Sequence, residues 1–267
     1  MVEWTDKPSY NLQDLMEIVR ILRHPGGCPW DQEQTHQTIR RNFIEEACEV
    51  AEAIDEDDPE HLKEELGDVL LQVLFHTSIE EDAGRFDLDG VADGVCKKLV
   101  YRHPHVFGDV TVGSTGEILS NWEELKKKEK HQKTQADAVD AVARTLPALW
   151  RAEKIKKKVA KAGFDWSDVS GALDKLSEEL DELKAAALTG KGNPAEELGD
   201  LLLAAVSVAR FLDADPEEAL HRACDKFSVR FRKTEELAEE RGLELGELTD
   251  REQTALWKAA KAKLDRA

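Results

Sequence analysis

Two acidic stretches of the sequence contain carboxylates at spacings that could bind a metal ion. In the first stretch EEACE is followed by EELGD, and these supply the pairs Glu46/Glu49 and Glu65/Asp68. Residues three apart lie on one face of a helix, so each pair points its carboxylates in the same direction. The polar turn DEDDP between the pairs allows the chain to reverse. The two pairs can therefore face each other across an antiparallel helical hairpin.

The second stretch repeats this arrangement further along the chain. EELDE and a second EELGD pair Glu179 with Glu182 and Glu197 with Asp200. The two EELGD motifs lie 132 residues apart, and later KLVYR corresponds to KFSVR and WEELK to WKAAK at nearly the same offset. Several features in one order at a nearly constant spacing indicate an internal duplication.

The chemistry that such a hairpin favours is the binding of a hard divalent cation. Four converging carboxylates repel one another and raise one another's pKa unless a cation lies among them. Ligands that are all oxygen favour Mg²⁺ or Mn²⁺ over Zn²⁺. Mg²⁺ keeps several waters and usually binds phosphate oxygens as well, so a phosphorylated substrate is expected. Such a metal can polarise a phosphoryl group and lower the pKa of an attacking water.

A single acidic pattern is weak evidence, because the chain has 56 acidic residues. EELAE at Glu235–Glu239 and ELGE at Glu244–Glu247 look similar, but too few residues separate them for a returning hairpin. In the repeats, by contrast, the acids stand among residues of buried type such as Val50, Ile54 and Leu66. A charge among buried residues is costly unless it is paired or bound to a ligand, which favours the metal interpretation.

Basic and aromatic residues follow each acidic hairpin in both repeats. A Lys and an Arg four apart lie on one helix face and could clamp phosphate oxygens, although ordinary surface positions would look the same. Each Trp has a Lys four residues later and could stack on a base, although a Trp on an apolar helix face is more often part of a core. These candidate substrate-side residues are Lys98, Arg102, Trp122 and Lys126 in the first copy and Lys226, Arg230, Trp257 and Lys261 in the second.

Helical periodicity dominates the elements that must position these residues, and strand-like alternation is almost absent, which predicts an all-α fold. Asn11 is expected to cap the first helix and Pro59 to begin the third. Trp30 and Trp166 are expected to be core anchors, and RHPHVFGDVTVGSTGE is expected to be a loop. We predict helices at residues 12–22, 38–54, 59–81, 88–101, from 117 onward, 145–161, 169–188, 194–212, 216–240 and 250–264.

A polar, charged segment divides the two repeats. We expect a first domain over 1–130, a linker over 131–143 and a second domain over 144–267. Each domain should be built on one antiparallel helical hairpin within a small bundle.

The composition excludes several classes of partner. A net charge of −19 repels nucleic acid and anionic membranes, because phosphate binding needs Lys and Arg to displace counterions. The longest apolar run is far shorter than a membrane span, and the first residues do not resemble a signal peptide. The four cysteines form no CxxC pair, so we expect reduced thiols in a cytoplasmic protein, with Cys48 acting as a small hydrophobe. They are Cys28, Cys48, Cys96 and Cys224.

Together with GCPWD and RHPHVF, the doubled acidic hairpin resembles the MazG family of nucleoside triphosphate pyrophosphohydrolases in its tandem two-domain form. The resemblance covers nearly the whole chain. It implies two tandem helical domains, a homodimer, and Mg²⁺-dependent cleavage of nucleoside triphosphates to the monophosphate and pyrophosphate, with Mn²⁺ as a possible substitute.

The resemblance also assigns roles to individual residues. The eight paired carboxylates would be metal ligands, while Glu45 and Glu178 would hold or activate water. Lys175, one turn before Glu179, would add a cation for the triphosphate, whereas Asn42 occupies the corresponding position of the first copy. This difference favours the second copy as the catalytic one.

Two other interpretations predict different behaviour. A non-catalytic nucleotide-sensing or helical scaffold protein would show no turnover to lose on mutation. A di-iron carboxylate bundle would need paired ExxH motifs in a four-helix core. EQTH at Glu33–His36 and EALH at Glu218–His221 fit the spacing, but neither lies in a buried-looking hairpin with a partner.

Overall fold

Side-chain caps and prolines set the beginnings of the helices that make up this fold. The computed structural model describes residues 4–129 and 134–265, and these residues form helices and turns with no strand. The all-α prediction is confirmed. The chain divides into two compact units, Met1–Lys126 and Lys127–Ala267, so the division falls near the end of a helix.

The first unit begins with a helix whose start is fixed by Asn11, as expected. The Asn11 side chain accepts from the backbone of Asp14, and the Asp14 carboxylate accepts from the backbone of Asn11. Pro59 occupies the first turn of its helix, where a missing N–H costs nothing. The helices of this unit are α1 (Leu12–Arg23), α2 (Pro29–Gln32), α3 (His36–Asp55), α4 (Pro59–Asp82), α5 (Leu88–Arg102), α6 (Pro104–Phe107) and α7 (Thr115–Glu129).

The second unit repeats this order with different connections. Pro147 precedes α9, which therefore starts three residues later than the predicted Thr145. Gly190 ends α10 in the left-handed conformation, the usual way to stop a helix. The helices of this unit are α8 (Gln135–Asp140), α9 (Ala148–Lys161), α10 (Val169–Thr189), α11 (Pro194–Phe211), α12 (Pro216–Glu240) and α13 (Asp250–Leu264), with a 3₁₀ turn at Leu245–Glu247 before α13.

Both predicted hairpins form, α3 with α4 and α10 with α11. In the first, Asp57 adopts a left-handed φ of 55° at the turn, which Asp tolerates better than most residues. The cluster formed by Val19, Ile39, Leu74 and Phe75 packs α1 against this hairpin. In the second unit, a separate apolar cluster joins α12 to α13.

Two segments expected to be irregular contain short helices. The expected linker at 131–143 includes α8, which is capped by Thr134 and buries Ala138. Residues 130–133, where the first domain was expected to end and the linker to begin, lie outside the described residues. The expected loop after Arg102 contains α6, because Pro104 has the φ that a first helical turn needs.

Several side chains expected to be buried are exposed in the chain by itself. Ile54 is 58% exposed, Leu66 is 52% exposed and Trp30 is 60% exposed. Cys48 is exposed as well. The expectation of burial was wrong for these residues, because helical periodicity does not say which of two apolar faces packs inside the chain. Trp166 is half-buried and packs against Gly171 of α10.

Within the described residues, no helix combines the length and the low charge needed to cross a membrane.

Candidate metal centres

The first acidic hairpin brings three predicted ligands together. Carboxylate oxygens of Glu46 and Glu49 on α3 and of Glu65 on α4 all lie within 4.8 Å of one another. Asp68 is not part of this group, although its charge still acts on Glu46. Burial, followed by the charges of Asp68 and Glu49, raises the pKa of Glu46 above its ordinary value.

Glu65 is the buried member of the first centre. Burial and the charge of Glu49 raise its pKa. His61, one turn earlier on α4, places Nε2 3.3 Å from Glu65 Oε1, while its Nδ1 lies 3.3 Å from Glu56. The other carboxylate oxygen of Glu65 is buried and has no hydrogen-bond partner among the described residues. An unsatisfied buried carboxylate oxygen is costly, and a bound cation would satisfy it.

The second hairpin gathers a different trio. Oxygens of Glu179 on α10 and of Glu197 and Asp200 on α11 lie within 4.8 Å of one another, and Glu179 is buried. Glu182 is the predicted ligand outside this group. Burial and the charge of Glu179 raise the pKa of Glu182, so it still belongs to the same electrostatic cluster.

The loop before α11 brings the backbone close to the second centre. Gly192 has a left-handed φ of 99°, and a Cβ built at this position would lie 3.2 Å from Glu197 Oε1. A side chain at this position would be strained and would press on a candidate ligand. Glycine is therefore the residue that this loop requires.

Lys175 neutralises part of the second centre. Its amine lies 2.8 Å from an oxygen of Glu178 and 2.8 Å from an oxygen of Glu179. Hydrogen bonds to these two carboxylates raise the pKa of Lys175. Asn42, at the corresponding position of the first copy, carries no charge.

The two residues expected to handle water are exposed and lie beside the centres. Glu178 is held by Lys175. Glu45 accepts a hydrogen bond from Arg41 Nε at 2.6 Å, one turn earlier on α3. Each is adjacent in sequence to a clustered carboxylate, and each is already engaged by a cation of its own helix.

The donor sets fit a hard divalent cation. Each consists of three carboxylates from two facing helices, with a fourth close enough to act electrostatically. Oxygen donors of this kind suit Mg²⁺ or Mn²⁺. Burial and the repulsion between neighbouring carboxylates raise the pKa values of Glu46, Glu65 and Glu182. A bound cation would offset this repulsion and stabilise the charged carboxylates.

In the first unit, the predicted basic and aromatic residues meet at Trp122. The guanidinium of Arg102, which is buried, lies 5.3 Å from the ring centre of Trp122, and the amine of Lys126 lies 4.7 Å from it. Both distances are typical of cation–π contacts. Lys98 is half-buried one turn before Arg102.

The second unit places the same arginine–tryptophan pair in an aromatic setting. Arg230 lies 5.2 Å from the ring centre of Trp257, and Phe227 lies 4.9 Å from the same ring at an angle of 43°. Phe231 stacks beside Phe227. The first copy has leucine and histidine at the two phenylalanine positions. Lys226 and Lys261 are both exposed.

Sequence reasoning missed His61 as a member of the first centre. Its position four residues before Glu65 on one helix was the available signal, since such residues are neighbours on a helix surface. No counterpart occurs in the second copy, because α4 has three more residues than α11 between its first proline and the EELGD motif.

A partly buried polar network centred on the buried Glu80, at the other end of the first hairpin, was also missed. His36 on α3 contacts His76 through Nδ1 at 2.8 Å and Glu80 through Nε2, both on α4, and Arg85 donates to Glu80 at 2.7 Å. His36 is thus a structural residue here. Its contacts do not match the di-iron interpretation, which needs the ExxH histidine beside clustered acids.

Comparison with known proteins places both hairpins in one family. The family model described as the MazG nucleotide pyrophosphohydrolase domain matches residues 34–107 and 168–234. These two segments contain every clustered carboxylate described above. They also reproduce the internal duplication that the sequence indicates.

Two relatives similar to this chain over most of its length are named nucleoside triphosphate pyrophosphohydrolases, and a third is uncharacterized. A protein of Thermotoga maritima named nucleoside triphosphate pyrophosphohydrolase/pyrophosphatase MazG is 43% identical over 93% of this chain and 95% of its own length. The nucleoside triphosphate pyrophosphohydrolase of Escherichia coli K12 is 43% identical over 86% of this chain and 89% of its own length. An uncharacterized Bacillus subtilis protein, YabN, is 49% identical over 91% of this chain and 50% of its own length.

Proposed function

This chain belongs to the MazG family, and we propose from that membership and from its acidic centres that it hydrolyses nucleoside triphosphates to the monophosphate and pyrophosphate. The observation that carries the proposal is the convergence of three carboxylates in each copy of the hairpin. A site that gathers so many acids binds a polyphosphate only with a cation between them.

Mg²⁺ is the proposed cofactor, with Mn²⁺ as a substitute. Glu46, Glu49 and Glu65, with Asp68 beside them, would hold it in the first copy. Bound there, it would neutralise the triphosphate and polarise a phosphoryl group. In the second copy, the corresponding residues are Glu179, Glu182, Glu197 and Asp200.

The residues of the chain then position the triphosphate and the water. In this proposal, Glu178 would accept the proton of a water whose oxygen bonds to a phosphorus of the α–β linkage. The bond to the bridging oxygen breaks, and pyrophosphate leaves. Lys175, Lys226 and Arg230 would bind its oxygens, since charge-assisted contacts to phosphate are strong.

We assign catalysis to the second copy. Lys175 provides a cation there that Asn42 does not provide in the first copy. The aromatic group of Phe227 and Trp257 also offers a surface on which a base could stack. The first copy, with Lys98, Arg102, Trp122 and Lys126, would bind nucleotide in a regulatory manner or complete the assembly.

We further propose that the chain forms a homodimer through the exposed apolar faces of its hairpins. Contiguous exposed apolar surface usually marks an interaction site. Gly67 and Gly199, in the two EELGD motifs, have no atom within 4 Å of a built Cβ, so packing inside the chain does not require glycine. Close packing of a second copy against these helices would explain why glycine occupies both positions. Exposed apolar residues on these helices are Ile44, Ile54, Leu66, Leu70, Leu173, Leu180, Leu188, Leu198 and Leu202.

Product analysis tests the activity directly. The purified chain is incubated with a panel of ribo- and deoxyribonucleoside triphosphates and Mg²⁺, and the products are separated by ion exchange. Monophosphate and pyrophosphate in equal amounts are expected, and excess chelator should abolish both. Diphosphate with inorganic phosphate, or no turnover with any nucleotide and metal, would contradict the proposal.

A further inference from the structure

Lys175 contacts a carboxylate that a divalent cation in the second centre would need. Its amine is 2.8 Å from Glu179 Oε1, and Glu179 is the buried member of the second carboxylate group. The same amine is 2.8 Å from Glu178 Oε1, so two carboxylates hold it in place. Because like charges repel at short range, the ammonium and a metal ion would not share Glu179 favourably.

The first centre has different basic neighbours. Asn42 cannot form the corresponding ion pair, and its neighbour Arg41 pairs with Glu45 rather than with a clustered carboxylate. His61 contacts Glu65 from α4, the other helix of the hairpin. An ion pair between a lysine and a candidate metal ligand therefore distinguishes the second copy from the first.

We propose that Lys175 is a placeholder cation that couples metal binding to triphosphate binding in the second centre. It neutralises Glu179 while the site is free of metal and is displaced when a divalent cation takes that carboxylate. The displaced ammonium, with three donors on a flexible stem, then contacts the triphosphate. This last step rests on the proposed function, whereas the displacement step does not.

Removing the Lys175 amine should therefore have opposite effects on the binding of the metal and of the triphosphate. Removing the amine takes a competitor away from Glu179, so the metal alone should bind more tightly. The same change removes a phosphate contact that forms only after the metal has bound. Metal and nucleotide should consequently bind with positive coupling in the wild type and with less coupling in the variant.

The first measurement is Mn²⁺ binding to the full chain without nucleotide, by electron paramagnetic resonance. Glu46→Gln and Glu49→Gln are introduced together to weaken the first centre, and circular dichroism checks the fold. Adding Lys175→Gln should tighten Mn²⁺ binding about three- to fivefold, the upper part of the range for losing a partly exposed ion pair.

Lys184→Gln is the matched control. Lys184 lies on the same helix and makes an ion pair of the same kind, 2.9 Å from Asp181, outside the carboxylate group. It should change Mn²⁺ affinity less than about twofold. Unchanged or weaker Mn²⁺ binding in Lys175→Gln, or an equal gain in Lys184→Gln, would overturn the proposal.

The second measurement is the affinity for a non-hydrolysable α,β-methylene triphosphate, by calorimetry, with and without Mn²⁺. Lys175→Gln should weaken binding about tenfold with Mn²⁺ and leave it unchanged without metal. An equal loss in both conditions would overturn the coupling, because the amine would then contact the nucleotide regardless of metal. If wild type binds no nucleotide, the proposed function fails, while tighter Mn²⁺ binding in Lys175→Gln still supports displacement.

Discussion

Glu65 and Glu179 are the buried acids of the two centres, and each is contacted by a basic side chain of its own helix one turn earlier. His61 contacts Glu65 at 3.3 Å, and Lys175 contacts Glu179 at 2.8 Å. The two copies thus place different basic residues at the same position relative to the buried acid. The shared position of His61 and Lys175 supports the same kind of site in both copies. The chemical difference between histidine and lysine supports different roles for the two copies.

The partly buried network around Glu80 predicts a pH-dependent contribution to stability. Hydrogen bonds from Arg85 and His36 lower the pKa of Glu80 from 4.5 to about 2. A carboxylate with a lowered pKa stabilises the fold above its unfolded value, and that contribution is lost as the pH falls from about 4.5 toward 2. Glu80→Gln should therefore lower the melting temperature at pH 7, and the difference from wild type should shrink across that window.

Glu81→Gln provides the control for this melting series. Glu81 is the next residue on α4 and pairs with Arg20 at 2.7 Å, but both side chains are about 40% exposed. Water screens such a pair, so its loss should change the melting temperature less. A Glu80→Gln difference that stays constant from pH 7 to pH 2, or that is no larger than the Glu81→Gln difference, would contradict this account of the network.

The sequence predicted the candidate metal ligands but not which of their carboxylate oxygens converge. Spacing placed Glu46 with Glu49 and Glu65 with Asp68, because residues three apart share a helix face. Which three oxygens converge depends on how each helix is rotated about its axis. That rotation brings Glu49 into the first group and leaves Glu182 outside the second, a difference that spacing alone does not contain.

Among the elements, α10 is held in place by a tryptophan lying against a glycine. A Cβ built at Gly171 would lie 2.4 Å from Cδ1 of Trp166. Gly to Ala inside a helix usually stabilises it by about 1 kcal/mol. Here the ring would have to move, and overpacking costs about 1–3 kcal/mol. Gly171→Ala should therefore lower the free energy of unfolding, as measured by denaturant titration.

Gly94→Ala is the corresponding change at an open position. Gly94 lies inside α5, and a Cβ built there has no atom within 4 Å. Its substitution should raise the free energy of unfolding by about 0.5–1 kcal/mol. If both variants are stabilised to the same extent, Trp166 does not fix α10 in the way described.

Helices with strong periodicity and capping residues were predictable, while short ones were not. Helix α4 was predicted from Pro59 and ends within one residue of the predicted position. Helix α8 has six residues, too few to show an apolar period, although Thr134 and Asp137 form a complete capping box. Helix α6 has one turn, and Pro104 was its only signal.

At the scale of the whole molecule, the exposed apolar faces lead to a prediction about self-association. If a second copy packs closely at Gly67, Gly67→Leu should weaken the dimer by about tenfold, the effect of about 1.4 kcal/mol of overpacking. Sedimentation equilibrium over a range of protein concentrations measures this change. The melting temperature of the wild type should also rise with concentration, as expected for a dimer.

Gly94→Leu controls for the added side chain itself. It should leave self-association unchanged, since it also places leucine at an open helical position but outside the acidic hairpins. A wild type that remains monomeric at high concentration would contradict the proposed interface. So would a Gly67→Leu variant that associates as strongly as wild type.

The sequence predicted the internal duplication correctly, but it did not predict which apolar residues of each copy are buried. Repeated motifs gave the order of the helices and both hairpins, because periodicity and turn chemistry are local properties. The exposure of Ile54, Leu66 and Trp30 was not foreseen, because their apolar character suits a face covered by another chain as well as an internal core. Sequence gives apolar character and not the identity of the surface that covers it.

The most direct test of catalysis by the second copy compares single substitutions of corresponding acids in the two copies. Wild type, Asp68→Asn and Asp200→Asn are assayed for monophosphate and pyrophosphate under identical Mg²⁺ and nucleotide concentrations, with thermal melts to confirm folding. Loss of turnover by at least about a hundredfold in Asp200→Asn, with substantial activity retained in Asp68→Asn, is the predicted result. Loss in Asp68→Asn alone would move catalysis to the first copy and contradict the assignment.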